Sequence, residues 1–275
     1  TDGNYFDVAI RNRDGATLVL RNSTLMDNHG VGAIAIGFDA VLIATSSTIS
    51  RNLVRNAGAL YFNRARGEVS HCTITDNVGF DFAVGVEGDP GVSVENSVIA
   101  RNQSGDLAGD QPGTPVSRGH NLIGNPGAVT GFTQLGDQTG TAANPIDPKL
   151  SPLAIHSGQV PTQMPLAGSP ALDKGLRYGR DQRGLNGVFD IGSIAPATGG
   201  NNADIGAVEA QAIIVSTTND SGAGSLRQAI IDANANGGGT DDVLFSVNLP
   251  ATINLTLNQR DILVMFGLLV VALYA

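Results

Sequence analysis

The stretch His71-Cys72-Thr73-Ile74-Thr75-Asp76-Asn77 decides the fold, because the chain repeats it. Sister copies are Asn22-Ser23-Thr24-Leu25-Met26-Asp27-Asn28, Ser46-Ser47-Thr48-Ile49-Ser50-Arg51-Asn52 and Asn96-Ser97-Val98-Ile99-Ala100-Arg101-Asn102. Their closing asparagines stand at positions 28, 52, 77 and 102, a period of 24 to 25 residues. A shorter fifth copy, Gly119-His120-Asn121-Leu122-Ile123-Gly124, keeps that step.

Outward from this stretch, each full copy follows a short run: Thr17-Leu18-Val19-Leu20, Val41-Leu42-Ile43, Glu68-Val69-Ser70 and Val92-Ser93-Val94. Each repeat also holds a further apolar run, at Phe6-Asp7-Val8-Ala9-Ile10, Ala33-Ile34-Ala35-Ile36, Ala59-Leu60-Tyr61-Phe62 and Phe82-Ala83-Val84-Gly85-Val86. These runs are short, β-branched and punctuated by Gly, Asn and Asp, which reads as strands. Three short strands per repeat predict an all-β chain, a right-handed single-stranded parallel β-helix of the pectate-lyase-like kind. Leu25, Ile49, Ile74 and Ile99 would then stack inward as an aliphatic ladder at the usual interstrand spacing of about 4.8 Å. Asn28, Asn52, Asn77 and Asn102 read as structural turn residues: Asn tolerates left-handed backbone, and its amide can bond its neighbour in the stack.

The repeats occupy 1–125. Over 126–210 the period fails and Pro and Gly accumulate, which reads as loop-rich terminal coils and an irregular cap. Four motifs follow in order: Asp147-Pro148-Lys149-Leu150-Ser151-Pro152-Leu153, Pro165-Leu166-Ala167-Gly168-Ser169-Pro170-Ala171-Leu172-Asp173-Lys174-Gly175, Asp181-Gln182-Arg183-Gly184 and Asp204-Ile205-Gly206-Ala207-Val208-Glu209. This run, over about 119–209, resembles the C-terminal end of bacterial extracellular β-helix proteins of the choice-of-anchor Q type. The resemblance implies a β-helix tail that leads towards surface anchors. Two departures stand out: His156-Ser157-Gly158 replaces the family's usual Asn-Gly-Gly, and the Asp-Ile-Gly element occurs twice, at Asp190 and Asp204.

Residues 211–259 read as the start of a second β-helix module or a fold-back cap. Ser225-Leu226-Arg227-Gln228-Ala229-Ile230 resembles the segment that opens such proteins, about 213–249 here. Ser225 with Gln228 is a capping box for a short helix near 225–234, with Leu226, Ala229, Ile230 and Ala233 on one face. Asp241–Phe245 and Thr252–Leu257 read as the strands beyond it. The last stretch, 260–275, is apolar and shorter than the roughly 20 residues a membrane span needs; it reads as a truncated or aberrant end. Thr1-Asp2-Gly3-Asn4 carries no secretory signal, and the chain is expected to be a piece of a longer tandem protein or an incomplete reading frame.

The composition narrows the chemistry. Sixteen Lys and Arg against 25 Asp and Glu give a net charge of −9, which argues against a nucleic-acid partner. The single Cys72 excludes an internal disulfide, and four His at irregular spacing suggest no metal site. Hydrolysis of a glycosidic bond needs two carboxylates about 5–10 Å apart. The column that holds Asp27 and Asp76 alternates with Arg51 and Arg101 instead, so no catalytic residue is assigned. The arginines Arg51, Arg55, Arg64, Arg66 and Arg101 are the chain's one basic concentration; Arg51, Arg55 and Arg101 are the candidates for ligand binding. Asp181, Arg183 and Asp190 read as loop fasteners, with a structural Ca2+ as the minor alternative, and Asp204 as a structural residue of the cap. No cofactor and no oligomer are expected. The leading reading is a non-catalytic secreted or cell-surface protein, a stalk, adhesin or glycan-contact surface whose partner is a polysaccharide or cell-surface glycan. The alternative is a polysaccharide lyase or glycoside hydrolase whose site lies largely outside this stretch.

Overall fold

The computed structural model describes residues 8–55, 58–80, 82–88, 91–109, 114–191, 194–210, 213–222, 224–235, 243–245, 247, 251–254 and 256. These form two compact units, divided after Glu209.

In the first unit every repeat contributes one strand to each of several parallel sheets. The first sheet holds Val8–Asn12, Gly32–Gly37, Leu60–Asn63, Val84–Glu87 and Leu107–Gly109. The second holds Thr17–Arg21, Val41–Thr45, Arg66–Ser70, Val92–Glu95 and Val116–Gly119. The third runs Thr24–Met26, Thr48–Ser50, Thr73–Thr75, Val98–Ala100, Leu122–Ile123 and Gln138–Thr139. A narrow fourth sheet, His29–Gly30, Leu53–Val54 and Val78–Gly79, turns the corner back to the first. This is the expected all-β solenoid.

The aliphatic ladder forms in register, Leu25 to Ile49 to Ile74 to Ile99 to Ile123. All but Leu25 are fully buried, and they join Ile34, Leu42 and Leu60 in one continuous core. Val129 and Phe132 close that core beyond the last full coil.

The asparagine column is a hydrogen-bonded stack. Asn28 Nδ2 donates to Asn52 Oδ1 at 2.8 Å, Asn52 to Asn77 at 2.9 Å, and Asn77 to Asn102 at 3.0 Å. Each backbone N–H from Asn28 to Asn77 donates to the same oxygen, at 3.1 Å. The ladder ends on a carboxylate: Asn102 Nδ2 donates to Asp106 Oδ1 at 2.7 Å. A carboxylate only accepts, so the stack stops without an orphaned amide donor. One detail departs from expectation. The left-handed residues are those before the asparagines, Asp27, Arg51, Asp76 and Arg101, at φ of 55–59°. The asparagine amide bridges coils from ordinary backbone, while its neighbour makes the turn.

A second column crosses the corner between the second and third sheets. Ser23 N donates to Ser47 Oγ, Cys72 N to Ser97 Oγ, Ser97 N to Asn121 Oδ1 and Asn121 N to Asp137 Oδ1. It too ends on an aspartate. Cys72 stands in a serine position, and burial pushes its thiol up to about 12, which leaves it inert.

Residues 141–209 run back along the outside of the third sheet as an irregular strap. Thr48 Oγ1 donates to Gln182 Oε1 at 2.6 Å, and Gln182 Nε2 donates to Thr24 Oγ1 at 2.9 Å. Ala207 N donates to Thr73 Oγ1 at 3.0 Å, and Thr75 Oγ1 bonds Gln163 Oε1. Near the other end Val98, Ala100 and Leu122 pack against Leu150, Ala171 and Ile205 as a second small core. The third sheet is therefore buried on both faces, which explains why Thr48-Ile49-Ser50 and Thr73-Ile74-Thr75 have no exposed member. Of the two Asp-Ile-Gly elements, the one at Asp204 lies on this sheet: Asn96 Nδ2 donates to Asp204 O and Gly206 N to Asn96 O.

The second unit contains parallel strands Ile213–Val215 and Val243–Phe245 and the helix Leu226–Ala235. Ser225 caps the helix, its Oγ accepting the Gln228 N–H at 3.1 Å. Ala229 and Ile230 are buried as expected; the Ala233 side chain lies outside the described residues. Asp220 pairs with Arg227 at 2.8 Å and accepts the Thr256 N–H at 3.0 Å. The strand expected at Thr252–Leu257 is not formed at 252–254 or 256; Thr256 bonds the Asp220–Arg227 pair instead. The apolar stretch 260–275 lies outside the described residues. Among the described residues no helix is long and apolar enough to cross a membrane.

Candidate functional site

The second sheet alternates strictly. Leu18, Leu42, Gly67 and Val92 share one inward column, and Leu20, Ala44, Val69 and Val94 share the other. Outward stand Thr17, Val41 and Arg66, then Val19, Ile43, Glu68, Ser93 and Val116. No strap covers this face at its apolar positions: Val19 is 48% and Val116 is 52% exposed.

A groove of about 380 Å3 opens here, floored by Val41, Ile43 and Val116 and edged by Arg66, Glu68 and Arg118. Arg66 enters it across the next coil, where a Cβ on Gly91 would come within 2.7 Å of the Arg66 Cγ. Gly91 thus lets the arginine stem lie flat on the sheet. Arg118 projects from a bulge where the register slips between Val94 and Glu95. It lies two coils beyond Arg66, about 10 Å along the axis at the usual strand spacing. Among the described residues neither guanidinium has an ion-pair partner. Two free cations beside one carboxylate make the groove locally positive in a chain of net charge −9.

The sequence-nominated arginines lie elsewhere. Arg51 grips Asp27 through Nε at 2.9 Å and Nη2 at 2.5 Å, and Arg101 Nη2 reaches Asp76 Oδ2 at 2.8 Å. Hydrogen bonding to Arg51 holds Asp27 below its usual range. Arg55 is exposed in the turn after Leu53–Val54. Arg51, Arg55 and Arg101 thus flank the fourth sheet, whereas Arg64 and Arg66 turn the corner between the first and second. The five do not share one basic face. Arg118 was hidden in the sequence because it abuts Gly119-His120-Asn121, which reads as a terminal motif; a bulge sets its direction, and periodicity does not reveal bulges.

The carboxylates of the strap are occupied by structure. Asp181 Oδ1 accepts Arg183 N at 2.8 Å and Leu185 N at 3.2 Å; Oδ2 accepts Arg183 Nε at 2.8 Å and Glu209 N at 3.2 Å. The Arg183–Asp181 ion pair is buried, with side chains 4% and 0% exposed. Glu209 accepts Phe189 N at 2.6 Å and Asp204 N at 2.8 Å, and Asp204 Oδ1 accepts Asp173 N at 2.8 Å. Burial and the Asp204 carboxylate raise Glu209 well above the usual range, and burial pushes Asp173 up to about 6. Arg177, also buried, donates to Ser46 Oγ at 3.3 Å and to Gly206 O. These oxygens are committed to backbone donors and guanidinium groups, which leaves Asp181 little capacity to ligate a Ca2+. Among the described residues no three of His, Cys, Asp or Glu form a group that could hold a metal ion. Asp7, Asp81 and Asp89 lie outside the described residues.

With this geometry in hand, one comparison is decisive. Residues 8–123 match the family model of the right handed beta helix region. The fold is that of a right-handed β-helix. The matched span covers the full coils of the first four sheets and stops at the last residue of the aliphatic ladder. No curated protein and no solved structure matches the chain. The β-helix fold hosts enzymes and inert stalks alike, so function rests on the site.

Proposed function

We propose that this β-helix is a non-catalytic, secreted or cell-surface glycan-contact protein, and that the open face of its second sheet is the contact. The observation that carries this reading is the groove over Val41, Ile43 and Val116, with Arg66, Glu68 and Arg118 around it. Its apolar floor suits the CH faces of sugar rings, Ser93 and the exposed edges offer hydrogen bonds, and the two unpaired arginines suit occasional carboxylates on the polymer. The overall charge of −9 gives no long-range attraction for such a polymer, so recognition acts at short range and weakens with salt.

The test is binding of the purified chain to a panel of neutral and carboxylated polysaccharides, reading bound fraction and polymer length together. The expected result is retention of a carboxylated polymer without shortening, lost in the double variant Arg66→Ala, Arg118→Ala. Binding that survives this double change overturns the assignment of the groove.

One observation favours a second reading. Glu68 and Glu95 are outward positions on adjacent parallel strands, two residues out of register, about 8 Å apart by strand spacing and rise. That separation suits paired carboxylates in an inverting glycosidase. Shortening of any polymer, abolished by Glu68→Gln or Glu95→Gln, would replace the non-catalytic reading with this one.

A further inference from the structure

We infer that Asp137, in the loop beyond the last full coil, positions Arg118 for a carboxylated polymer in the groove; this rests on the reading of the groove as the contact. Arg118 is the extra residue of a bulge. Ser93 pairs with Val116 and Val94 with Ser117, but Glu95 pairs with Gly119. A bulged residue has no partner across the ladder, so the sheet does not fix where its side chain leaves. The bulge must be held from elsewhere if Arg118 is to face the groove before a ligand arrives.

The residues on both sides of Arg118 are tied to one carboxylate. Ser117 Oγ donates to Asp137 Oδ2 at 2.6 Å, and it accepts the Gly119 N–H at 2.9 Å and Asn121 Nδ2 at 3.0 Å. Asp137 Oδ1 accepts the Asn121 N–H at 2.9 Å and Asn121 Nδ2 at 3.0 Å. The loop itself is closed by the same group, Oδ2 accepting the Gln134 N–H at 2.8 Å. Backbone bonds complete the clamp: His120 N donates to Leu135 O at 2.8 Å and Gln138 N to Asn121 O at 2.7 Å. Gly119 is required here, since its φ is 108° and a Cβ would come within 2.8 Å of Leu135 O. Arg118 is thus the exposed residue between two clamped neighbours.

The hydrogen-bond balance shows that Asp137 acts through Arg118 and not on the ligand. A carboxylate has about four lone-pair sites, and Asp137 uses two on each oxygen within the clamp. None is left to receive a sugar hydroxyl. What the clamp supplies is direction: it fixes where the Arg118 stem leaves the sheet, beside Ser93 and Val116 at the groove edge. A planar guanidinium engages a carboxylate through two parallel bonds only when it is oriented. A stem anchored beforehand loses less freedom on binding, which favours affinity.

The experiment is affinity electrophoresis of the full chain in polygalacturonate, alginate and hyaluronan, with neutral dextran as the comparison, alongside amide hydrogen exchange. At least one charged polymer is expected to retard the parent. Arg118→Ala should weaken that interaction about tenfold, the size of one charge-assisted hydrogen bond. Asp137→Ala and Ser117→Ala should each weaken it about threefold to tenfold, and neither should weaken it further once Arg118 is alanine. A merely structural loss would persist in that background. Exchange of the Gly119 amide should quicken in Asp137→Ala while that of Ile74 in the core stays as in the parent. Ser117→Ala keeps the bonds from Asp137 to Asn121 and Gln134, so it carries the test where the aspartate variant fails to fold. Three results would overturn the positioning role: Gly119 exchange is unchanged; both variants bind as the parent does while Arg118→Ala does not; or their losses persist when Arg118 is alanine. Retardation by no charged polymer would instead overturn the reading of the groove, and the positioning role with it.

Discussion

The second and third sheets come from the same repeats, lie one corner apart and have opposite fates. Outward residues of the third sheet include Thr24, Thr48 and Thr73 in one column and Thr75 in the other, short side chains whose hydroxyls bond the strap, and Val98, Ala100 and Leu122, which pack against its apolar residues. Outward residues of the second sheet include Val19, Ile43, Glu68 and Arg66, branched or charged side chains over which, among the described residues, no strap is laid. The lesson is that a β-helix coil specifies its interior but leaves its exterior open to assignment. Threonine hydroxyls on a flat sheet accept a covering segment because they can bond its backbone or amides, as those of Thr24, Thr48, Thr73 and Thr75 do. Charged side chains such as Arg66 and Glu68 resist such a cover, since burying them without partners costs several kcal/mol.

The sharpest way to break this comparison is to remove a buried charge from the strap. Asp181→Ala leaves Arg183 buried without its partner, and unfolding in urea should show a loss of about 3–5 kcal/mol. Arg66→Ala on the open sheet should change stability by less than about 0.5 kcal/mol. Equal costs would mean that the strap contributes no more than the bare face.

Next in size is the asparagine stack, which both sheets depend on for coil spacing. Asn77→Ala removes the acceptor of the Asn52 N–H and amide in a buried site and should cost about 2–3 kcal/mol. Asn28→Ala, at the partly exposed start of the stack, should cost about 1 kcal/mol by the same measurement.

The pH dependence of the strap gives a signed effect. His71 meets Leu176 O at the corner, and burial, with Arg177 nearby, depresses it to about 4. The unfolded imidazole binds its proton near 6.5, so the unfolded state is favoured as pH falls from about 6.5 to 4. Asp106, raised to about 6 by burial, works in the opposite direction, because the fold takes up its proton before the unfolded chain does. His71→Asn, which copies the sister corner Asn96, isolates the histidine. Relative to this variant the parent should lose about 3 kcal/mol between pH 7 and pH 4, and a constant difference across that range would refute the assignment.

A small effect is expected of the arginines at the fourth sheet's edge. Arg51 and Asp27 are 47% and 46% exposed, so Arg51→Ala should cost less than about 1 kcal/mol and leave polysaccharide retention unchanged. Loss of retention in this variant would move the contact surface from the second sheet to the fourth.

Much of this molecule could be read in advance because a solenoid repeats its instructions. Ile49, Ile74 and Ile99 announce the ladder by spacing alone, and asparagines recurring every 24 to 25 residues in the same register could only stack. Ser225 and Gln228 marked a helix start that the structure places at Leu226. The candidate site was less legible. Arg51 and Arg101 stood out by their position in the repeat, yet that same position gives each an aspartate one coil earlier. Arg66 was visible as a charge but not as a groove wall, and Arg118 depends on a bulge.

By itself the sequence determined the period, the inward residues, the stacked asparagines and the parallel all-β class, since each depends on neighbours one repeat away. Tertiary structure alone decided which sheet is covered and which is open. The contacts that settle it join Thr48 to Gln182 and Asn96 to Asp204, 134 and 108 residues apart. Such pairs leave no local pattern, because a threonine that will meet solvent and one that will meet a glutamine from the strap satisfy the same strand geometry.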